Sequence, residues 1–287
     1  MLLDGTKISK ELSEQLKNKI KSNIYFCVVL VGNNPSSLVY INIKKKKCKE
    51  MGINFILKQF TEEITELSLI NEINKINNNS KIDSCIIQLP LPHHINQNKV
   101  LNTLCPDKDA DGFTVYNLGK LCKYENKDIL IKPATVLGIE EIIKYYKIKT
   151  VGQNIVIIGK SVIVGTPLAL LLANENTYSG TVTICDKNTK NLKEICGLAD
   201  ILIVSAGVHN LIDSSYKLKS DICIIDVGIH KIPDKNKKLG YCLKGDVDFD
   251  YFKDKCKYIT PVPGGVGPMT VICLIKNIIL LNNLKNK

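Results

Sequence analysis

The sequence predicts an α/β protein of two domains built on parallel sheets. Short apolar runs rich in Ile, Val and Leu alternate along the chain with stretches of helical periodicity, the pattern of parallel βα units. The runs fall into two groups, parted by a loop-rich stretch from 105 to 134 that holds Pro106, Gly112, Gly119 and Pro133. The 287 residues, 45% hydrophobic and 23% charged, suffice for two medium domains with ample cores.

In order, the strand candidates are "YFCVVLV" (25–31), "INFILKQF" (53–60) and "SCIIQL" (84–89) in the first group. "NIVIIG" (154–159), "TVTIC" (181–185), "DILIVSA" (200–206) and "DICIIDVG" (221–228) form the second. Helices are expected over 36–51, 64–77, 135–147, 165–175 and 268–284. "NKINNNS" (74–80) and "PDKNKKLG" (233–240) read as surface turns.

Composition narrows the function. Net charge is +11, yet the chain has no arginine, and its lysines are spread without interleaved aromatics. That argues against nucleic-acid readout, while a basic surface still favours a polyanionic small molecule. Eleven cysteines in no C-x-x-C pattern, together with adjacent His93 and His94 and separate His209 and His230, point to reduced thiols and no metal. No uninterrupted apolar stretch long enough to span a bilayer and no leader-like N-terminus are evident, so a cytoplasmic protein is expected.

Two regions carry chemistry. "IVIIGKSVIVGTP" is a strand that stops at Gly159 and opens into a helix near Gly165, which suits a pyrophosphate on a helix N-terminus. Ser161 replaces the second glycine of the usual dinucleotide pattern. The next strand ends at Asp186, which could accept from a free ribose 2′-hydroxyl and favour NAD, whereas Lys160 and Lys187 could hold a 2′-phosphate and favour NADP. Within "YINIKKKK", a helix over 36–51 places Ser37, Tyr40, Ile41, Lys44 and Cys48 on one stripe. Lys44 then lies one turn beyond Tyr40, and Lys45 to Lys47 are expected at the surface. An aromatic ring followed by an amine whose pKa burial can lower is a plausible pair for binding and proton transfer. "TPVPGGVGPMT", stiff and poor in side chains, could connect domains or admit a flat ligand against backbone.

"VGNNPSSLVYINIKKKKCKEMGI", "IQLPLP", "PDKDADGF", "GKSVIVGTP", "KGDVDF" and "ITPVPGGVGPMTV" resemble, in order, the signatures of the bifunctional methylenetetrahydrofolate dehydrogenase/methenyltetrahydrofolate cyclohydrolase family. The resemblance implies a catalytic domain over 1–134, completed by a C-terminal helix at 268–287, and a Rossmann-type domain over 135–267, with the active site in the cleft between them. It implies NADP, with NAD open, tetrahydrofolate derivatives, with polyglutamylated forms open, and a homodimer. By the same resemblance Lys44 handles protons, Tyr40 packs on the folate, Gln88 hydrogen-bonds the lysine, Asp111 grips the pterin's amino edge and Ser37 lies nearby. Gly264 and Gly265 would line the folate side, and Gly159, Lys160, Ser161, Gly165, Lys187 and Ile229 the nucleotide. "PATVLG" departs from the family's Pro-Cys-Thr-Pro-Lys/Arg-Gly at Val136 and Leu137. The competing readings are a folate- and nucleotide-binding protein without turnover and an unrelated dehydrogenase limited to hydride transfer.

Overall fold

A computed structural model describes residues 1–20, 23–123, 130–237 and 240–286. The chain divides into two compact units, one of Glu11–Ala134 with Val271–Lys287 and one of Met1–Lys10 with Thr135–Thr270.

The chain opens with α1 (Gly5–Lys17). Three parallel strands follow in the Glu11–Ala134 unit, β1 (Tyr25–Val31), β2 (Asn54–Phe60) and β3 (Ser84–Ile87), in the spatial order β2-β1-β3. β1 is buried from Phe26 onward, as a central strand covered on both faces must be. Its Cys27, Val29 and Val31 pack with Leu69 and Ile73 of α3 (Glu66–Asn77) and Val100 of α4 (Gln97–Thr103), while Phe26, Val28 and Leu30 are buried on the opposite face. α2 (Pro35–Glu50) joins β1 to β2. Asn34 caps it by accepting from the amides of Ser36 and Ser37, with Pro35 in the first turn. The chain leaves β1 through α2 to one side and returns through α3 to the other, so its order reverses at the carboxyl end of β1.

The second unit repeats this logic. α6 (Ala134–Tyr145) leads into β4 (Asn154–Ile158), α7 (Gly165–Ala173), β5 (Thr181–Cys185), α8 (Leu192–Gly197), β6 (Ile201–Val204) and β7 (Cys223–Asp226). A hairpin of β8 (His230–Pro233) and β9 (Tyr241–Lys244), the short α9 (Phe249–Phe252) and β10 (Tyr258–Ile259) complete it. The five-stranded parallel sheet runs β10-β7-β6-β4-β5, and its order reverses at the carboxyl end of β4. Val156, Ile158, Leu202, Val204 and Ile224 share one core with Ile212 and Phe252.

Several expectations change. The first ten residues pack with the 135–270 unit instead of the 1–134 one, because Leu3 N–H donates to Ile259 O at 2.8 Å and Thr6 N–H to Gly264 O at 3.0 Å, beside edge strand β10. Residues 74–77 belong to α3, not to a turn, since Thr65 caps that helix and Ile73 and Ile76 bury against the sheet. The stretch from 105 to 134 contains α5 (Val115–Lys123), which buries Asn117 and Leu121. Residues 233–240 connect β8 to β9, with 238–239 outside the described residues. Val136 and Leu137, which depart from the expected pattern, are buried in α6. The last helix, α10 (Val266–Lys285), is long and apolar enough to cross a membrane by length and composition, but Lys276 and Asn277 interrupt its apolar run and most of it is buried within the protein.

Candidate active site

In the Glu11–Ala134 unit, three segments converge at the carboxyl end of the small sheet. The first is the inward stripe of α2, where Ser37, Ile41 and Cys48 are buried and Lys44 is half-buried between them. Tyr40, 41% exposed, stands at the edge of that stripe one turn before Lys44. The second is the end of β3, where Gln88 Oε1 accepts from Lys44 Nζ at 3.0 Å and Gln88 Nε2 donates to Leu89 O at 2.8 Å. The amide of Gln88 is thereby oriented with its oxygen toward the lysine. Ser37 Oγ reaches the same Leu89 carbonyl at 3.5 Å. The third is the loop carrying Asp111, which runs beside β3 through a parallel bridge between Cys85 and Asp109.

The electrostatics follow from burial. Lys44 is held below the usual lysine range by desolvation, opposed by the charge of Asp111. Desolvation raises the Asp111 carboxyl to about 6, against the pull of Lys44 and with a push from Asp109. Burial also raises the Cys48 thiol to about 12, which leaves it a neutral neighbour at physiological pH. The other lysines of the run differ. Lys45 and Lys46 are exposed, and Lys47 pairs with Glu50 at 3.3 Å.

The remaining candidates lie in the 135–270 unit. The turn after β4 requires its glycines. Gly159 adopts φ +123°, where a side chain would collide with Ser205, and a Cβ on Gly165 would strike the carbonyl of Gly159. Ser161 Oγ accepts from Val164 N–H at 3.2 Å and Ser161 O from Thr166 N–H at 3.0 Å, shaping the approach to α7. Val164, the residue that caps α7, supplies no side-chain acceptor. A glycine turn against a helix start without a side-chain cap fits a pyrophosphate. Lys160 Nζ lies 3.4 Å from Asp186 Oδ2, and Asp186 Oδ1 accepts from Asn188 N–H and Thr189 Oγ1. Lys187 and Ile229 are exposed, and the Ile229 side chain lies beside Gly267. Gly264, at φ +109°, and Gly265 belong to this unit too, not to the one that holds Tyr40 and Lys44. Ser37, Tyr40, Lys44, Gln88 and Asp111 thus form one group and the six nucleotide candidates another.

Two sequence profiles account for nearly the whole chain: tetrahydrofolate dehydrogenase/cyclohydrolase, catalytic domain, over residues 3–111, and the NAD(P)-binding domain of the same family over 133–286. The chain belongs to the tetrahydrofolate dehydrogenase/cyclohydrolase family. Among its relatives is the bifunctional protein FolD of Thermodesulfovibrio yellowstonii, 42% identical over 292 residues, covering 100% of this chain and 98% of that one. The crystal structure of the bifunctional FolD methylenetetrahydrofolate dehydrogenase/cyclohydrolase from Campylobacter jejuni is similar at a TM-score of 0.91, with 37% identity over 99% of each chain. The Trypanosoma brucei enzyme, complexed with NADP cofactor and inhibitor, gives a TM-score of 0.93 at 30% identity, covering 100% of this chain and 98% of that one.

Sequence reasoning missed the residues that hold this family site in place. Asp109, Asn117 and Asn277 are buried polar groups bonded around the Asp111 loop. For Asn277 a signal existed, an amide set among Leu274, Ile275, Ile278 and Ile279 in the most apolar stretch of the helix. Thr189, whose hydroxyl engages Asp186, carries no such signal.

Proposed function

We propose that this chain oxidises 5,10-methylenetetrahydrofolate to the 5,10-methenyl form with NADP and then hydrolyses it to 10-formyltetrahydrofolate. The observation that carries the reading is the half-buried Lys44, hydrogen-bonded to Gln88 at 3.0 Å and electrostatically coupled to Asp111.

The bound nicotinamide supplies a hydride acceptor, and that redox chemistry is the cofactor's own. Gly159, Ser161 and Gly165 would hold the pyrophosphate, with Lys160 and Lys187 near the ribose. The protein's part in oxidation is placement: Tyr40 offers a ring for the flat folate, and the Asp111 carboxylate accepts from the pterin's amino and ring N–H groups. In hydrolysis, water adds to the methenyl carbon and protons must move between that water and the folate nitrogens. Lys44 serves this at Nζ. Desolvation makes its ammonium a readier donor and its amine available nearer neutrality, while Gln88 accepts one of its N–H groups and so fixes the position of Nζ.

NADP is favoured over NAD because both oxygens of Asp186 are engaged, by Lys160 on one side and by Asn188 and Thr189 on the other. A carboxylate so committed is a poor acceptor for a ribose hydroxyl, while the exposed ammonium groups of Lys160 and Lys187 suit a phosphate. The same reading makes the protein a cytoplasmic homodimer that accepts polyglutamylated folates; none of its eleven cysteines is joined in a disulfide, which suits a reducing compartment. A coupled assay with methylenetetrahydrofolate and each nicotinamide nucleotide, following both NADPH and formyl product, tests the reaction. Binding of both ligands without turnover, or oxidation without hydrolysis, would overturn it. Light scattering tests the dimer.

A further inference from the structure

The loop that carries Asp111 is fixed from three directions by bonds that do not end on its carboxyl. From β3, Cys85 O accepts from Ala110 N–H at 3.1 Å. From the α5 side, Asp109 Oδ1 accepts from Gly112 N–H at 2.9 Å, and its Oδ2 accepts from Thr114 N–H at 2.8 Å and from Asn117 Nδ2 at 3.0 Å. From α10, Asn277 Nδ2 donates to both Ala110 O and Lys132 O, each at 2.8 Å. The peptide groups on either side of Asp111 are thus tied down, one by the helix amide and one by the Asp109 carboxylate. Gly112 closes the arrangement. It sits at φ +69°, and a Cβ there would come within 2.9 Å of the Lys132 carbonyl carbon, so segment 132–133 lies flush on the loop.

An amide at this place in α10 is not explained by packing. Asn277 is 1% exposed, flanked by fully buried Ile275 and Ile278, where an apolar side chain would be the ordinary choice. What it supplies is two donors on one nitrogen, spaced to bridge two carbonyls that are distant in sequence. A carboxylate that must receive two N–H groups from a flat ligand needs its backbone held to a fraction of an ångström.

We propose that Asn277, from the C-terminal helix, is a positioning residue for folate recognition, clamping the Asp111 loop through the Ala110 and Lys132 carbonyls. The inference rests on the reading of Asp111 as a folate-binding residue. Removing the clamp frees the loop to shift, which weakens folate binding without touching the nucleotide residues.

The test grades the donor count in the full-length protein. Asn277→Leu keeps the volume with no donor, and Asn277→Ser keeps one hydroxyl donor. The leucine variant is expected to raise the folate KM about ten- to a hundredfold, the serine variant less, with the NADP KM within about twofold of the parent in both. A purely structural role would lower Tm in the same order yet leave the folate KM of the folded fraction unchanged, and that result overturns the proposal. Should the leucine variant fail to fold, the serine variant decides on the same criterion. Asp111→Ala is measured alongside: if it leaves the folate KM unchanged the reading of Asp111 fails, whereas a loss there with none in the Asn277 variants sinks the clamp alone.

Discussion

Lys44 and Lys160 carry the same ammonium group, each near the carboxyl end of a parallel sheet where strand order reverses, yet the protein treats them oppositely. Lys44 is drawn into the sheet's flank, bonded to Gln88 and shifted by desolvation toward the neutral amine. Lys160 has its side chain 51% exposed and faces Asp186 at 3.4 Å. Burial converts an ammonium into an acid–base group, whereas exposure leaves it a point charge whose worth is limited by solvent and by its partner. On the proposed reading, one topological device yields a chemical site in one unit and a binding site in the other, and the environment decides which.

The largest effect should come from the buried lysine. Lys44→Met is expected to cut cyclohydrolase turnover about a hundred- to ten-thousandfold, with NADP binding by calorimetry retained. If turnover survived, the contrast between the two lysines would lose its meaning. Next, Asp111→Ala should weaken folate binding by about 1–3 kcal/mol at pH 8 with the NADP Kd kept, read by fluorescence titration of each ligand. The parent enzyme sharpens this. Burial lifts the Asp111 carboxyl to about 6, so as pH falls through that value one of its two acceptor oxygens becomes an O–H donor and the negative charge is lost, and the folate KM should climb on the acid side of pH 6.

The same shift predicts stability. The folded carboxyl holds its proton to higher pH than the unfolded one, whose value is near 3.8, so its ionisation works against folding as pH rises from about 4 to about 6. Asp111→Asn should therefore raise stability by about 1–2 kcal/mol at pH 7 and by nothing at pH 3.5, measured by urea unfolding; part of the gain is offset because Lys44 loses its counter-charge. Smaller still, Lys160→Ala should raise the NADP KM by about threefold to tenfold while barely moving that for NAD, a modest effect for a solvent-screened contact. An NAD preference in the parent that reversed in Asp186→Ala would instead assign that carboxylate to the ribose. Lys45→Met, on the exposed side of α2, should change either activity by no more than about twofold.

Much of this is legible in the sequence. The strands announced themselves through short runs rich in Val and Ile, and α2 and α3 through the helical periodicity between those runs. The pairing of Tyr40 and Lys44 needed only helical spacing. What stayed hidden was either short and polar, like α4 and the hairpin of β8 and β9, or long in range. No local pattern states that the Asn277 amide meets a carbonyl 167 residues away, or that the first residues of the chain lie against Ile259. Periodicity reports which side of an element is covered, not by what. The fate of Asp186 was equally illegible, because it depends on a rotamer set by Thr189 and Asn188.

The cysteine thiols give the molecule a set of internal clocks. Cys122 is exposed, while Cys27, Cys48, Cys85 and Cys273 are buried in one unit and Cys185, Cys196 and Cys223 in the other. A thiol reagent can reach each buried sulfur only when the surrounding structure opens, so the rate at which each is labelled in the native state measures the free energy of that opening. With reporters in both units, pulse labelling followed by mass spectrometry would time the breathing of the folate-binding unit and of the nucleotide-binding unit separately, in one sample and without introducing a single probe. Adding NADP or a folate in turn would then reveal which unit each ligand quiets.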